Sequence, residues 1–244
     1  MGTDFAAVAG LLGHPARARM VDALMSGERL TAGELALTAG VAASTASQHL
    51  GRLVDGGLVA VEAEGRLRLH RIAGPDVAEA LEALARICPP TPVRSLRGAD
   101  HRRALGHART CYDHLAGAVG VALTDALLAR RWVEPATAGW DLTAAGEAGL
   151  AAAGVDVAGA RAGRRTFARP CVDWTERRPH LAGALGAAVA TTALAEGWVR
   201  RRDGRSLAVT AAGRDVLAGV FGVAPAVLGD GRDGLRHPPR AARA

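Results

Sequence analysis

Two groups of residues in this chain could do chemistry by their types and spacing. In the first, Ser44, Thr45, Ser47, Gln48, His49 and Arg52 fall within nine positions. If that stretch is helical, Leu50, Leu53 and Val54 make one buried face and the polar groups project from the others. Short hydrogen-bonding side chains on a stiff rod suit the edges of bases in a major groove. The second group occurs twice. Ala108-Arg109-Thr110-Cys111-Tyr112-Asp113 returns sixty residues later as Ala168-Arg169-Pro170-Cys171-Val172-Asp173, and His114-Leu115-Ala116-Gly117 returns sixty-six residues later as His180-Leu181-Ala182-Gly183.

Several chemistries fit the repeated group, and the sequence leaves them open. Each arginine can pair with its nearby aspartate while the small thiol fills a core. Alternatively, Cys111, His114, Cys171 and His180 supply two thiolates and two imidazoles to zinc or another transition metal, with Asp113 and Asp173 as further ligands or as groups that orient the imidazoles. A third option is a redox switch, in which Cys111 and Cys171 form a disulfide and Arg109 and Arg169 favour the thiolates. A small-molecule pocket beside Tyr112 and Trp174 is a fourth. A thiol nucleophile with a histidine base would make an enzyme, but no glycine-rich phosphate loop or nucleophile elbow accompanies it.

The elements that must position the first group are legible around it. Residues 16–24 have a helical pattern, and Thr31 is placed to cap a helix over Ala32–Ala39 that Gly40 closes. After the polar stretch, 58–61 and 66–71 read as the two strands of a hairpin, with 62–65 as its turn. Basic and apolar residues alternate along the second strand, so Arg66, Arg68, His70 and Arg71 are expected on an exposed face that meets phosphates or a minor groove. Such a unit could also bind protein. In the repeats, residues 114–132 and 180–198 are each expected to form a helix, followed by a hairpin and a helix capped by Thr143 or Thr210. Cys111 and His114 would then share a helix face. Small residues at 116, 117, 120 and at 182, 183, 186 would let the two copies approach closely about a pseudo-twofold axis.

Through Ser44-Thr45-Ala46-Ser47-Gln48-His49-Leu50 and the closing Gly57-Leu58-Val59, residues 5 to 88 resemble the ArsR family of winged-helix repressors. The resemblance implies a homodimer on palindromic double-stranded operators. It also implies a dimer interface on the first and last helices of the module, where Val77, Leu81, Leu84 and Cys88 form an apolar stripe. Ala42 departs from the family, which often has a capping serine there, and Ser44 is expected to cap instead, half a turn later. The family's usual metal-ligand positions are missing. There is no cysteine pair in 34–38, and 75–88 contains Asp76 but no histidine.

The fold class expected is mainly α with short β-hairpins: an N-terminal winged helix-turn-helix over 1–88, a linker over 89–100, and a domain over 101–223 made of two winged-helix-like repeats, about 108–155 and 168–223. Residues 224–244 lack apolar periodicity and are expected to be unstructured. The net charge is +6 and every basic side chain except histidine is arginine. A GC-rich coding bias produces the same excess, so total charge says less about nucleic acid than the placement of arginines on the hairpin. No apolar run reaches the roughly 18 to 20 residues a bilayer requires, and no leader pattern opens the chain. The three cysteines are too few for a secreted disulfide scaffold. A cytoplasmic transcription regulator is expected, probing an effector through its duplicated half.

Overall fold

Caps, glycines and buried arginines fix where the helices begin and end. The computed structural model describes residues 4–89, 95–202 and 204–229. The chain divides into two compact units, one of residues up to 90 with Thr110–Asp113, and the other of the remainder.

In the first unit, α1 (Phe5–Leu12) ends in carbonyls of Gly10 and Leu11 that accept bonds from the buried Arg17 guanidinium. Helix α2 (Pro15–Leu24) has proline in its first turn, and the His14 ring accepts from Ala16 N. Strand β1 (Leu30–Thr31) leads into α3 (Ala32–Ala39), opened by a Thr31–Glu34 capping box and closed by Gly40 at φ +67°. Helix α4 (Ala43–Asp55) starts after Ala42, which offers no side-chain cap. Ser44 therefore does not delay the start by half a turn. Strands β2 (Val59–Glu64) and β3 (Leu67–Ile72) pair through a two-residue loop, so 62–64, expected as turn, extend the strand. β1 adds to β3, giving the order β1-β3-β2. Helix α5 (Pro75–Ile87) follows. Met20, Leu24, Leu35, Leu50, Leu53 and Ile72 are the centre of the core. Residues 110–112 join this unit: Tyr112 N donates to Met25 O at 3.2 Å and Thr110 Oγ1 to Ser26 O at 3.0 Å.

Apart from residues 110–113, the second unit carries the duplication, as one element order written twice. Helix α6 (Leu96–His107), which begins inside the expected linker, leads to β4 (Arg109–Cys111), β5 (His114–Ala116), α7 (Gly117–Ala129), β6 (Val133–Ala136), β7 (Gly139–Leu142) and α8 (Ala144–Ala152). Helix α9 (Val157–Ala162) leads to β8 (Arg169–Val172), β9 (Pro179–Ala182), α10 (Gly183–Ala195), β10 (Val199–Arg201), β11 (Leu207–Val209) and α11 (Ala211–Gly219). A last turn, α12 (Pro225–Leu228), lies in the stretch expected to be unstructured, yet Leu228 is buried in this core. Residues 90–94 of the expected linker and 230–244 of the expected tail lie outside the described residues.

The histidines do not begin helices. His114 and His180 lie on strands, and the helices open three residues later at Gly117 and Gly183, whose φ values of +76° and +85° favour glycine. The copies interlock: β5 packs on α10 and β9 on α7. A Cβ on Gly186 would lie 2.5 Å from Leu181 O and 3.2 Å from His114 Cβ, and one on Gly120 would lie 2.5 Å from Leu115 O and 3.8 Å from His180 Cβ. This reciprocity is that of the pseudo-twofold axis expected from the small residues. Thr143 and Thr210 cap α8 and α11, and their backbone N–H groups donate to Trp132 O and Trp198 O. Among the described residues no helix is long and apolar enough to cross a membrane.

Gly186→Ala should destabilise the full chain by about 1–3 kcal/mol, because a strand carbonyl stands where the methyl would go. Gly219→Ala, with nothing within 4 Å, should change stability by less than about 1 kcal/mol. Urea denaturation of both variants checks this, and equal effects would remove close backbone approach as the reason for glycine at 186.

Candidate functional site

On α4 the buried residues are Ala46, His49, Leu50 and Leu53, which lock one face of the helix into the first unit. Ser44, Ser47, Gln48 and Arg52 are exposed and Thr45 is half-buried, so the expected polar row faces outward. Ser47 Oγ is turned back to Ala43 O at 3.0 Å. His49 departs from expectation. It is 9% exposed and its ring packs 4.3 Å from that of His14. Burial, then the nearby charges of His14, Arg17 and Arg52, hold its pKa below the ordinary value.

The hairpin corrects the expected cationic face. Side chains on a strand alternate, so Arg68, His70 and Ile72 share a face, and that face turns inward as β3 enters the unit. Arg66 and Arg68 at the tip are exposed, whereas His70 is 7% exposed with Nδ1 3.3 Å from Leu30 O. Burial lowers its pKa despite that bond, and Arg68 adds to the lowering. Arg71 is committed to the hairpin base, donating to the Glu62 carboxylate and to Ile72 O and Ala73 O. On α5, Val77 and Leu81 are half-buried against the unit's own core, while Leu84 and Cys88 are exposed. Ile87, 79% exposed, continues the apolar surface, and Phe5 and Val8 of α1 are also exposed.

The repeated group converges. The ligand atoms of Cys111, His114, Cys171 and His180 all lie within 4.8 Å of one another, and all four residues are buried. His114 Nε2 and His180 Nε2 are 3.1 Å apart. The nine-residue interval between Cys171 and His180 is explained by pairing, since the two are directly opposite across β8 and β9. Cys111 and His114 likewise come from the paired strands β4 and β5, not from one helix face.

Behind His180 stands Asp173, which is fully buried with Oδ2 3.2 Å from His180 Nδ1. The same carboxylate accepts from Arg109 at 2.9 Å, Gly117 N at 2.7 Å, Thr175 N at 2.8 Å, Thr175 Oγ1 at 2.6 Å and Glu176 N at 3.1 Å. Burial alone would raise the Asp173 pKa, but the contacts with His180 and Arg109, with Thr175 and Gly117, hold it well below the usual carboxylate range. Burial likewise opposes charge on His180, and Asp173 and Cys171 outweigh it, raising its pKa. The arginine–aspartate pair is thus real but crossed between copies: Arg109 of the first holds Asp173 of the second. Of the two aspartates expected as further ligands or as groups that orient the imidazoles, Asp173 stands beside His180, and Asp113 sits half-buried at the β4–β5 turn. Thr175 and the Gly117 amide are the members of this constellation that residue spacing did not single out, and Arg109 was expected to pair with the aspartate of its own copy rather than with Asp173. The recurrence of Arg109 as Arg169 was the available signal.

Residues 12–62 match the helix-turn-helix domain family. The HTH-type transcriptional regulator YdfF of Bacillus subtilis (strain 168) is 38% identical over 215 residues, covering 88% of this chain and 95% of its own length. The HTH-type transcriptional regulator Rv0081 of Mycobacterium tuberculosis (strain ATCC 25618 / H37Rv) is 40% identical over 75 residues, 31% of this chain and 65% of its own. Among solved structures, the homodimeric winged helix-turn-helix DNA-binding domain Mb0332 from Mycobacterium bovis is 29% identical, covers 34% of this chain and 85% of its own, and superposes with a TM-score of 0.31.

Two outcomes test the electrostatics. Arg109→Met should cost about 3–5 kcal/mol in urea denaturation, because it strands a buried carboxylate, whereas Arg178→Met, which breaks the exposed pair with Asp125, should cost less than about 1 kcal/mol. His49 and His70 have lowered folded-state pKa values, so below pH about 6.5 these two residues bind more protons in the unfolded chain and their contribution to stability falls as pH drops, opposite in sense to that of His180, whose pKa is raised. Thermal melts at pH 7.5 and 5.5 should show a smaller loss in His49→Gln, and an unchanged loss would contradict the buried neutral ring.

Proposed function

Because this chain belongs to the HTH-type transcriptional regulators, we propose that it is a sequence-specific, DNA-binding repressor that works as a homodimer on palindromic operators and carries an effector domain in its second unit. One observation carries the reading: α4 has one face sealed in the core while Ser44, Gln48 and Arg52 stand exposed on the other. A helix held this way can enter a major groove without losing its packing, and its side chains then meet base edges. Arg66 and Arg68 at the hairpin tip supply phosphate contacts that set register. His49, His70 and Arg71 take no part, since they are buried or bonded within the unit.

The homodimer is supported by exposed apolar side chains on the first and last helices of the module, Phe5, Val8, Leu84 and Ile87. A twofold dimer presents two reading helices about one turn of duplex apart, so a shift of a few ångströms between them weakens binding. The effector domain is assigned to the duplicated half because its buried Cys111, His114, Cys171 and His180 are where a metal ion or an oxidant would act. Thr110 and Tyr112, on either side of Cys111, bond to the turn that follows α2.

Gln48→Ala and Arg52→Ala should each weaken binding to an operator selected from random duplexes by roughly 1–3 kcal/mol, with unchanged melting temperature. Arg66→Ala with Arg68→Ala should instead weaken binding to all duplexes and lower the dependence on salt. Full operator affinity in Gln48→Ala and Arg52→Ala would reject α4 as the reading helix. Ile87→Glu should turn dimer into monomer in sedimentation equilibrium, and a persistent dimer would place the interface elsewhere.

A further inference from the structure

The four-residue cluster admits a narrower assignment than a generic effector site, one that rests on the effector-domain reading. We propose that Cys111, His114, Cys171 and His180 bind one thiophilic divalent ion tetrahedrally, Zn2+ or a heavier ion of the same closed-shell type such as Cd2+, with Asp173 as the positioning residue for His180.

Convergence is the first ground. Four side chains from two paired strand hairpins bring two sulfurs and two nitrogens within 4.8 Å of one another. Two imidazole Nε2 atoms 3.1 Å apart are close to the edge of about 3.3 Å that a tetrahedron with Zn–N bonds of about 2.0 Å requires. A disulfide between the cysteines would use two of the four converging donors, whereas a metal uses all four.

The surroundings are the second ground. With Asp173 beside Nδ1, His180 is held with Nε2 toward the cluster, the arrangement in which a carboxylate orients a metal-bound imidazole. Asp173 does not rotate away, because Arg109, Gly117 N and Thr175 hold both its oxygens. Charge selects the ion. Two thiolates and a dication sum to zero, and the adjacent Arg109–Asp173 pair is neutral, so a divalent ion leaves this buried region uncharged. A monovalent or trivalent ion would leave one net charge where desolvation is costly. Burial of all four ligands makes the site closed, with sulfur and nitrogen donors that favour a borderline-soft metal over Mg2+ or Ca2+.

The site is symmetric in origin, since each repeat supplies one cysteine and one histidine. Neither copy holds enough donors alone, so ion binding joins the two copies.

The test uses the full chain. Protein purified without added metal and in reductant is measured for metal content, then stripped with chelator and titrated with Co2+ and Zn2+. Expected are one ion per chain, a Co2+ spectrum with intense tetrahedral bands and thiolate charge transfer, and displacement of Co2+ by Zn2+. Cys111→Ser with Cys171→Ser should abolish the charge-transfer band, and Asp173→Asn should keep the stoichiometry while lowering affinity about 10–100-fold. Should the double cysteine variant misfold, alkylation of wild-type thiols decides instead: bound Zn2+ should protect Cys111 and Cys171 and leave Cys88 reactive. No stoichiometric metal, a Co2+ spectrum without thiolate bands, or unprotected Cys111 and Cys171 would overturn the site. Stoichiometric metal with operator affinity identical in stripped and loaded protein would uphold the site and overturn the effector reading.

Discussion

The second unit is organised around one buried carboxylate. Asp173 has no exposure, and an ionised group in that position is tolerable only if every oxygen is supplied with donors. The donors come from three places: Arg109 at the start of the first copy, the Gly117 amide at the amino end of α7, and the turn after β8. Meeting that demand fixes the β8–β9 hairpin against α7 and ties the first repeat to the second. His180 is placed as a consequence. The glycines add a second constraint, since a Cβ at Gly186 or Gly120 would lie 2.5 Å from the carbonyl of Leu181 or Leu115, respectively, on the strand that leads into the same helix. Hydrophobic burial by Leu115, Leu181, Leu185 and Val189 drives these surfaces together, but it would accept many registers; the carboxylate accepts one.

Much of this was legible in the sequence, and what was not has identifiable causes. Caps and glycines act over four residues, so the Thr31–Gly40 helix and the Thr143 and Thr210 caps could be placed directly. The pseudo-twofold association could be inferred because duplicated small residues leave few other uses for themselves. Helical pattern misled at the histidines. Alanine and glycine dominate 114–120, and apolar periodicity in such a stretch cannot separate the last strand residues from the first helical turn. The cost of that error was geometric: ligands expected on one helix face are in fact cross-strand neighbours. The partner of Asp173 was also out of reach, because local spacing suggests Arg169, and only the fold brings Arg109 to it.

In the first unit the same limit appears on the hairpin. Alternation correctly separates the two faces of β3 but cannot say where along the strand a face passes from solvent into core. Arg68 and His70 are two residues apart on one face, and the boundary falls between them. His49 fails for a related reason. Its polar type suggests exposure, yet its ring packs on His14, the residue that caps α2. The exposed set that remains, Ser44, Gln48, Arg52, Arg66 and Arg68, is smaller than the sequence suggests and better defined, because the histidines are excluded by packing.

The two copies of the repeat are not equal, and the inequality has a structural source. Between cysteine and histidine the first copy has two residues and the second has eight. The extra six form the turn that contains Trp174, Thr175 and Glu176. Thr175 and Glu176 donate three of the bonds that hold Asp173, and Trp174 lies over the Arg109 guanidinium at 4.6 Å. A short turn such as that after Cys111 has no residues with which to build this cage. A duplicated hairpin brings two cysteines and two histidines to its axis by symmetry, but symmetry alone gives both imidazoles the same surroundings. The insertion breaks the tie by giving one aspartate enough donors to remain ionised in the core, and that aspartate then decides which nitrogen of His180 faces inward.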